Sequence, residues 1–354
     1  MRAAAVLLAP LILASCSRGD NIIPTDPPDG SITSRPDAAI DAAIDAPAPD
    51  ASDPFAPTRL AETGLYVDFD NLVIASGVTE FEPQFALWTD GASKRRWILL
   101  PEGATIDSSD MDFWDFPEGT KLWKEFSRDG LRIETRLYWK QGPDASDWEP
   151  FTFVWNAEQD DAVAEAFGIP NALGTNHDVP TLFDCVICHD NVPNRVIGYS
   201  AIQLDGAIGG HNLADLVAAG TLTDNPVGAG PVFFPLPGAA VDQAAMGYLH
   251  GNCGGCHWAG SEVQDVVPLD LRLVPGQMAT VAETGTYQTT VGVVPTLMIT
   301  GATAIIEPGD PAASALRIRM NTAENARMPP LGTEDVDTDA VTAIDAWINV
   351  VPPP

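Results

Sequence analysis

Residues 121–142 read "KLWKEFSRDGLRIETRLYWKQG". Apolar and polar side chains alternate on both sides of Asp129-Gly130. A period of two is that of a half-buried strand, and an Asp-Gly pair suits a tight turn. The stretch predicts a β-hairpin. "KRRWILLP" and "FTFVWN" read as two further strands, with "DFPEGT" as a turn between them. Seven of the nine tryptophans lie between Trp88 and Trp155, which marks an aromatic-cored unit. The reading over 58–170 is an antiparallel β-sandwich or small barrel. Its aromatics are expected as core, with a carbohydrate-binding platform as the alternative use.

Past this unit the pattern turns helical. "DDAVAEAFG" (160–168) and "NLADLVAAG" (212–220) each end at a glycine stop. "AAVDQAAMGYLHGN" (239–252) is a longer helix, and "DTDAVTAIDAWINVV" (337–351) an amphipathic one with Ala340, Ile344 and Trp347 on one face. The expected class is α+β and multidomain. The Trp-rich β domain (58–170) precedes a segment at 171–235 and a mainly α-helical domain at 236–354.

The N-terminus has a different character. "MRAAAVLLAPLILASC" has one arginine, a short apolar run and then a cysteine. That is the layout of an export signal, too short to span a membrane. Its end is similar to a bacterial lipobox, so residues 1–16 are expected to direct export and Cys16 to carry a lipid anchor to the membrane. Residues 17–57, rich in Asp, Ala and Pro, are expected as a disordered linker. The formal net charge is −31. Nucleic acid is excluded as a partner by the want of cationic surface, whereas a basic protein partner is favoured.

Cysteine usage decides the chemistry. Of five cysteines, lipidation of Cys16 leaves two pairs, in "CVICH" (185–189) and "CGGCH" (253–257). Cysteines at i and i+3 on a helical turn share a face, so their thiols can form thioethers to the two vinyl groups of one haem. The adjacent histidine then lies under the iron. Cys185 and Cys188 with His189, and Cys253 and Cys256 with His257, are thus expected to hold two covalent haem c groups. A four-cysteine zinc site and a pair of redox disulfides are the rivals, and both leave the two histidines unused. Downstream, "ARMPPLG" offers Met328 as a soft axial ligand to the second iron, with Met320 as its competitor. For the first haem the distal candidates are His177, His211 and His250, with Met246, Met278 and Met298 behind them, or an open position.

The order helix, CxxCH, loop, Met-Pro, terminal helix over 239–351 resembles cytochrome c. More broadly, "FALWTDGASKRRWILLPEG", "WDFPEGTKLWKEF", "RIETRLYW", "FTFVWN", "DCVICH", "IGYSAIQLD", "YLHGNCGGCH", "EPGDPAASALRIRM" and "MPPLG" resemble a family of exported bacterial dihaem c-type cytochromes, often lipoproteins. The resemblance spans roughly 60–350. It implies two covalent haems, on Cys185, Cys188 and His189 and on Cys253, Cys256, His257 and Met328, and a β-rich N-terminal region. The expected function is single-electron transfer in the periplasm or at the cell surface, to or from a redox protein partner. The alternatives are a peroxidase-like dihaem enzyme with an open first haem, and a surface-binding β module with a redox appendage.

Overall fold

The computed structural model describes residues 56–206, 211–228, 230–322 and 327–354. Cys16, the export signal and nearly all of the 17–57 linker lie outside the described residues. Among the described residues no helix is long and apolar enough to cross a membrane. The architecture is a mixture of α and β elements.

The 121–142 stretch forms the central hairpin. Strands β5 (Lys121–Arg128) and β6 (Leu131–Lys140) pair antiparallel about Asp129 and Gly130, with a bulge between Phe126 and Ser127. Both turn residues take positive φ, 52° and 82°, as a tight hairpin turn needs. Around this hairpin β3 (Val78–Glu80), β4 (Ser93–Leu99), β7 (Trp148–Trp155) and β8 (Ala162–Ala164) complete one antiparallel sheet in chain order, β3-β4-β5-β6-β7-β8. It is an open meander and not the barrel or full sandwich expected. Its end strands are three residues each and are not neighbours in the sheet. A two-stranded ribbon of β1 (Tyr66–Asp68) and β2 (Val73–Ile74) stands in place of a second full sheet.

Alternation gives the sheet two unlike faces. Trp97, Trp123, Leu137, Phe153 and Trp155 share one face and pack beneath Leu60, Leu65 and Tyr66. The indole N–H groups are partly paired there: Trp123 donates to Thr63 Oγ1 and Trp155 to Thr135 Oγ1, each at 3.1 Å. These tryptophans are core, not a glycan platform. The opposite face carries Arg96, Lys124, Arg136 and Tyr138, and it looks onto the cysteine motifs.

Residues 160–168 depart from their helical reading. Ala162–Ala164 is an edge strand paired to β7, with Trp155 opposite Ala162. An Ala-rich run of this length fits either period, and ladder hydrogen bonds to an available strand decide it. The other helices match their reading: α3 (Leu213–Ala219) is capped by Asn212 and stopped by Gly220 at φ 66°, and α4 (Ala240–Asn252) and α7 (Thr338–Ile348) form as expected. Between these last two lie α5 (Gly285–Thr290) and α6 (Ala315–Met320), six residues each. The remainder of 236–354 is mostly irregular, so this stretch is not mainly helical. Pro268, Pro275, Pro295, Pro308, Pro311, Pro329 and Pro330 break its backbone at short intervals.

Helices α4 and α7 share a core of Ala245, Leu249, Ala340, Ile344, Trp347 and Ile348. Trp347 Nε1 donates to Asp242 Oδ1 at 3.2 Å, pinning the two helices near the N-terminus of α4. Gly247 of α4 meets a different element. A Cβ there would collide with the ring of Phe85, which belongs to the strap running from β3 to β4. That strap ties sheet to helices. Gln84 N donates to Gln203 O at 2.8 Å, and Trp88 N to Asn252 Oδ1 at 2.7 Å. Asp90 accepts from the backbone N–H groups of Glu334 and Asp335 at 2.9–3.0 Å.

Two substitutions test this packing. Ile344→Ala is expected to lower unfolding stability by about 2–5 kcal/mol through the cavity it leaves. Gly247→Ala is expected to cost about 1–3 kcal/mol by overpacking against Phe85, although alanine favours helix. Urea denaturation of the full chain, followed by tryptophan fluorescence, measures both.

Candidate functional site

The first CxxCH motif ends helix α1 (Leu182–His189). Thr181 starts the helix as N-cap: its Oγ1 accepts from Asp184 N at 3.2 Å, while Asp184 Oδ2 accepts from Thr181 N at 2.9 Å. This reciprocal box fixes the helix start four residues before Cys185. One turn of helix then places Cys185 and Cys188 along the same side, both half-buried and both free thiols.

His189 is oriented by the loop that leaves α1. Its Nδ1 lies 2.5 Å from the carbonyl oxygen of Arg195. A carbonyl only accepts, so the ring proton sits on Nδ1 and the lone pair of Nε2 is left free. Arg195 takes a left-handed backbone, φ 56°, to turn that carbonyl inward, and its side chain is held by Asp190 at 3.1 Å. Burial pushes His189 down to about 4, so the ring is neutral at physiological pH. A neutral imidazole with one nitrogen tied to a carbonyl and the other open is the form that binds a metal.

The second motif continues directly from α4, which ends at Asn252. Cys256 N and His257 N both donate to Cys253 O, at 3.1 and 2.9 Å, so residues 253–257 make one further turn. Cys253 packs against the α4–α7 core, and burial pushes its thiol up to about 12. His257 Nδ1 is buried without a hydrogen-bond partner among the described residues.

The two motifs meet. The thiol of Cys188 shares a hydrogen bond with that of Cys256, which holds Cys188 protonated and lowers Cys256. Trp258, just after the second motif, donates from Nε1 to Asn191 O just after the first, at 2.9 Å. Cys185 and Cys253 stand apart from this contact. The former faces the sheet beside Arg136 and Glu134, the latter the helix core. Among the described residues no three His, Cys, Asp or Glu side chains gather as ligands for one metal ion.

A cavity of about 240 Å³ opens beside the first motif. Cys185, Cys188 and His189 line one side. The sheet face provides Arg96, Leu122, Lys124, Phe126, Arg136 and Tyr138 opposite, and Phe81, Phe85, Val196, Ile197 and Leu331 add apolar wall. Tyr138 stacks obliquely on His189, ring centroids 4.4 Å apart.

Of the distal histidines weighed from sequence, His250 lines this cavity. Its Nδ1 accepts from Leu273 N at 3.0 Å, so the neutral ring carries its proton on Nε2. His177 is engaged elsewhere, Nε2 lying 2.8 Å from Glu134 Oε1, and His211 is paired with Tyr199 OH at 2.7 Å. Met246 and Met278 belong to a separate cluster with Ile202 and Leu273, and Met298 is exposed.

Met328 borders a small hollow with Met320, Tyr248 and Trp88. It connects to the second motif through Arg319: Met328 N donates to Arg319 O at 3.0 Å, and the charge of Arg319, after burial, pushes His257 down. Met320 lies in the α4–α7 core.

Sequence reading missed the partners around these motifs. Glu134 is fully buried between Arg136, at 2.6 and 2.8 Å, and His177. Burial alone would raise the Glu134 carboxyl; Arg136 first, and then His177, hold it below its ordinary 4.5. The pattern Glu134-x-Arg136 on one strand face was the available signal.

Glu134→Gln is expected to destabilise the chain by roughly 1–3 kcal/mol, because it leaves the partly exposed Arg136 guanidinium without its carboxylate. Since folding lowers the carboxyl, its contribution is complete above the ordinary value and drains away as pH falls through the folded one. Urea midpoints of wild type and variant should therefore differ widely at neutral pH and converge toward acid.

Searches of family models, of curated proteins and of solved structures found no match to this chain.

Proposed function

We propose that this chain is an exported c-type cytochrome that carries single electrons, with haem c on Cys185 and Cys188 and a second on Cys253 and Cys256. The observation that carries the reading is the first motif's geometry. Two half-buried thiols and a neutral histidine with a free Nε2 line one side of a largely apolar cavity. These residues fit the group. The thiols supply two thioether positions, Nε2 of His189 supplies an axial nitrogen, and the apolar wall suits a flat hydrophobic macrocycle. At the second motif Cys253, Cys256 and His257 would do the same, with Met328 as the soft axial ligand.

The iron supplies the one-electron chemistry, and the protein sets position, dielectric and access. Arg195 holds the tautomer of His189 by accepting from Nδ1. Tyr138 restrains the ring by stacking. Cys188 and Cys256 bring the two attachment points into contact, so the two groups would lie close together. On this reading the acidic surface, net −31, steers a basic redox partner, and a lipid on Cys16 tethers the chain to a membrane in the periplasm or at the cell surface.

A second reading, a peroxidase-like haem enzyme with an open first site, is favoured by His250. In its neutral tautomer it presents an N–H and not a lone pair. Such a group donates to a small bound ligand and does not take the sixth position itself.

The test is the optical spectrum and peptide mass of protein matured in a host that attaches c-type haem. Haem mass on the peptides holding 185–189 and 253–257 is expected, with one of the two lost in Cys185→Ala/Cys188→Ala. Absence of a Soret band overturns the reading. Low-spin spectra unchanged by carbon monoxide select the electron carrier, whereas a high-spin component that responds to it selects the enzyme. Met328→Ala is expected to lower the potential of the second haem, since the thioether ligand favours the reduced iron.

A further inference from the structure

The sheet face opposite the first motif carries a close-set row of positive charge. In the β4–β5–β6 register, Arg96 lies directly opposite Lys124, and Lys124 directly opposite Arg136. Three cations thus form a row across three adjacent strands, on the face lining the cavity of Cys185, Cys188 and His189. Like charges placed directly across a strand pair destabilise it. Here they are also withdrawn from bulk water, in a chain whose net charge is −31.

Their partners are incomplete. Arg136 has Glu134, which it shares with His177. Among the described residues no protein oxygen accepts a hydrogen bond from the guanidinium of Arg96 or the ammonium of Lys124. Phe126 offers partial compensation, its ring centroid 5.0 Å from Lys124 Nζ and 4.3 Å from Arg136 Cζ. Burial first, and then Arg96, Arg136 and Lys94, push Lys124 well down. Elsewhere on the cavity wall a cation is matched properly: Arg272 bonds Asp112 at 2.7 Å. Glu82 acts on Arg96 from a distance and Glu134 on Arg136 and Lys124, so two carboxylates stand against three closely spaced, partly buried cations, and the row has capacity for a further anion.

We infer that the Arg96–Lys124–Arg136 row seats the acidic groups of the cavity's occupant, which under the haem reading are the two propionate carboxylates of the haem on Cys185 and Cys188. This rests on that reading and adds to it an orientation: vinyl edge toward α1, propionate edge toward the sheet. The occupant is amphiphilic, and so is the cavity, with apolar walls from Phe81, Val196 and Leu331 and cations along the strands. Arg and Lys donate charge-assisted bonds to carboxylates, which compensate the row as well as the ligand.

The test uses the full haem-loaded chain and the variants Arg96→Gln, Lys124→Gln, their double and Lys124→Arg. Arg95→Gln on the opposite face, where Arg95 pairs with Glu80, is the control. Thioether attachment does not need the row, so haem mass on the 185–189 peptide should persist. Removing a cation near the macrocycle should lower the midpoint potential of the first haem and shift the propionate-bending band in its resonance Raman spectrum. The double variant should move both further, Lys124→Arg should restore them, and Arg95→Gln should leave them in place. Relief of like-charge repulsion means the glutamine variants are not expected to fail in folding. If haem is present on 185–189 and neither readout moves, or Arg95→Gln moves them equally, the inference is overturned and the haem reading survives. If wild-type protein carries no haem on that peptide, both fall together.

Discussion

The period-two alternation of β5 and β6 is the constraint on which the rest of the molecule depends. It sorts one hairpin into two chemistries. Trp123 and Leu137 go to a sealed face under Leu60 and Tyr66, while Lys124, Arg136 and Tyr138 go to the other. A one-residue slip would exchange the two sets. The Asp129-Gly130 turn closes the hairpin, and a bulge between Phe126 and Ser127 offsets its register by one residue into the Trp123–Leu137 and Lys124–Arg136 pairing that does the sorting. Because β4 and β7 pair outward from this hairpin, the sorting propagates across the sheet, and the polar side becomes a wall of the cavity.

Against that wall the protein sets a histidine already committed to one tautomer. The commitment does not come from the CxxCH motif. It comes from Arg195, whose left-handed backbone aims a carbonyl at Nδ1. Such a conformation costs roughly 1–2 kcal/mol for an L-residue, and the Asp190 ion pair stands beside it on the same short loop. Strain near the motif and order in the histidine are two sides of one arrangement.

How much of this could be read from the chain depends on sequence separation. The hairpin, α3, α4 and α7 were legible because caps, glycine stops and periodicity are local. Residues 160–168 were misread because an Ala-rich run has no decisive period, and the strand emerges only when β7 is beside it. The mainly helical reading of 236–354 weighed its helices and not the prolines between them. The four cysteines and two histidines were plain from spacing. The Cys188–Cys256 contact was not, since it joins residues far apart in the chain and no local signal encodes it. Arg96, Lys124 and Arg136 were visible as letters, but their alignment into a row needs the register of three strands.

The strap from β3 to β4 has a consequence for how portable these parts are. Trp88 is bound to Asn252, Gln84 to Gln203, and Asp90 to the backbone of Glu334 and Asp335. A chain cut after the sheet would leave three sets of donors and acceptors without their partners, and each half would keep only part of the cavity wall. Grafting the sheet onto another protein, or the cysteine motifs onto another sheet, would therefore transfer residues without transferring the site. Recombination within this chain is confined to exchanges that carry the strap, α2 (Ala201–Leu204), α4 and the 329–335 loop together.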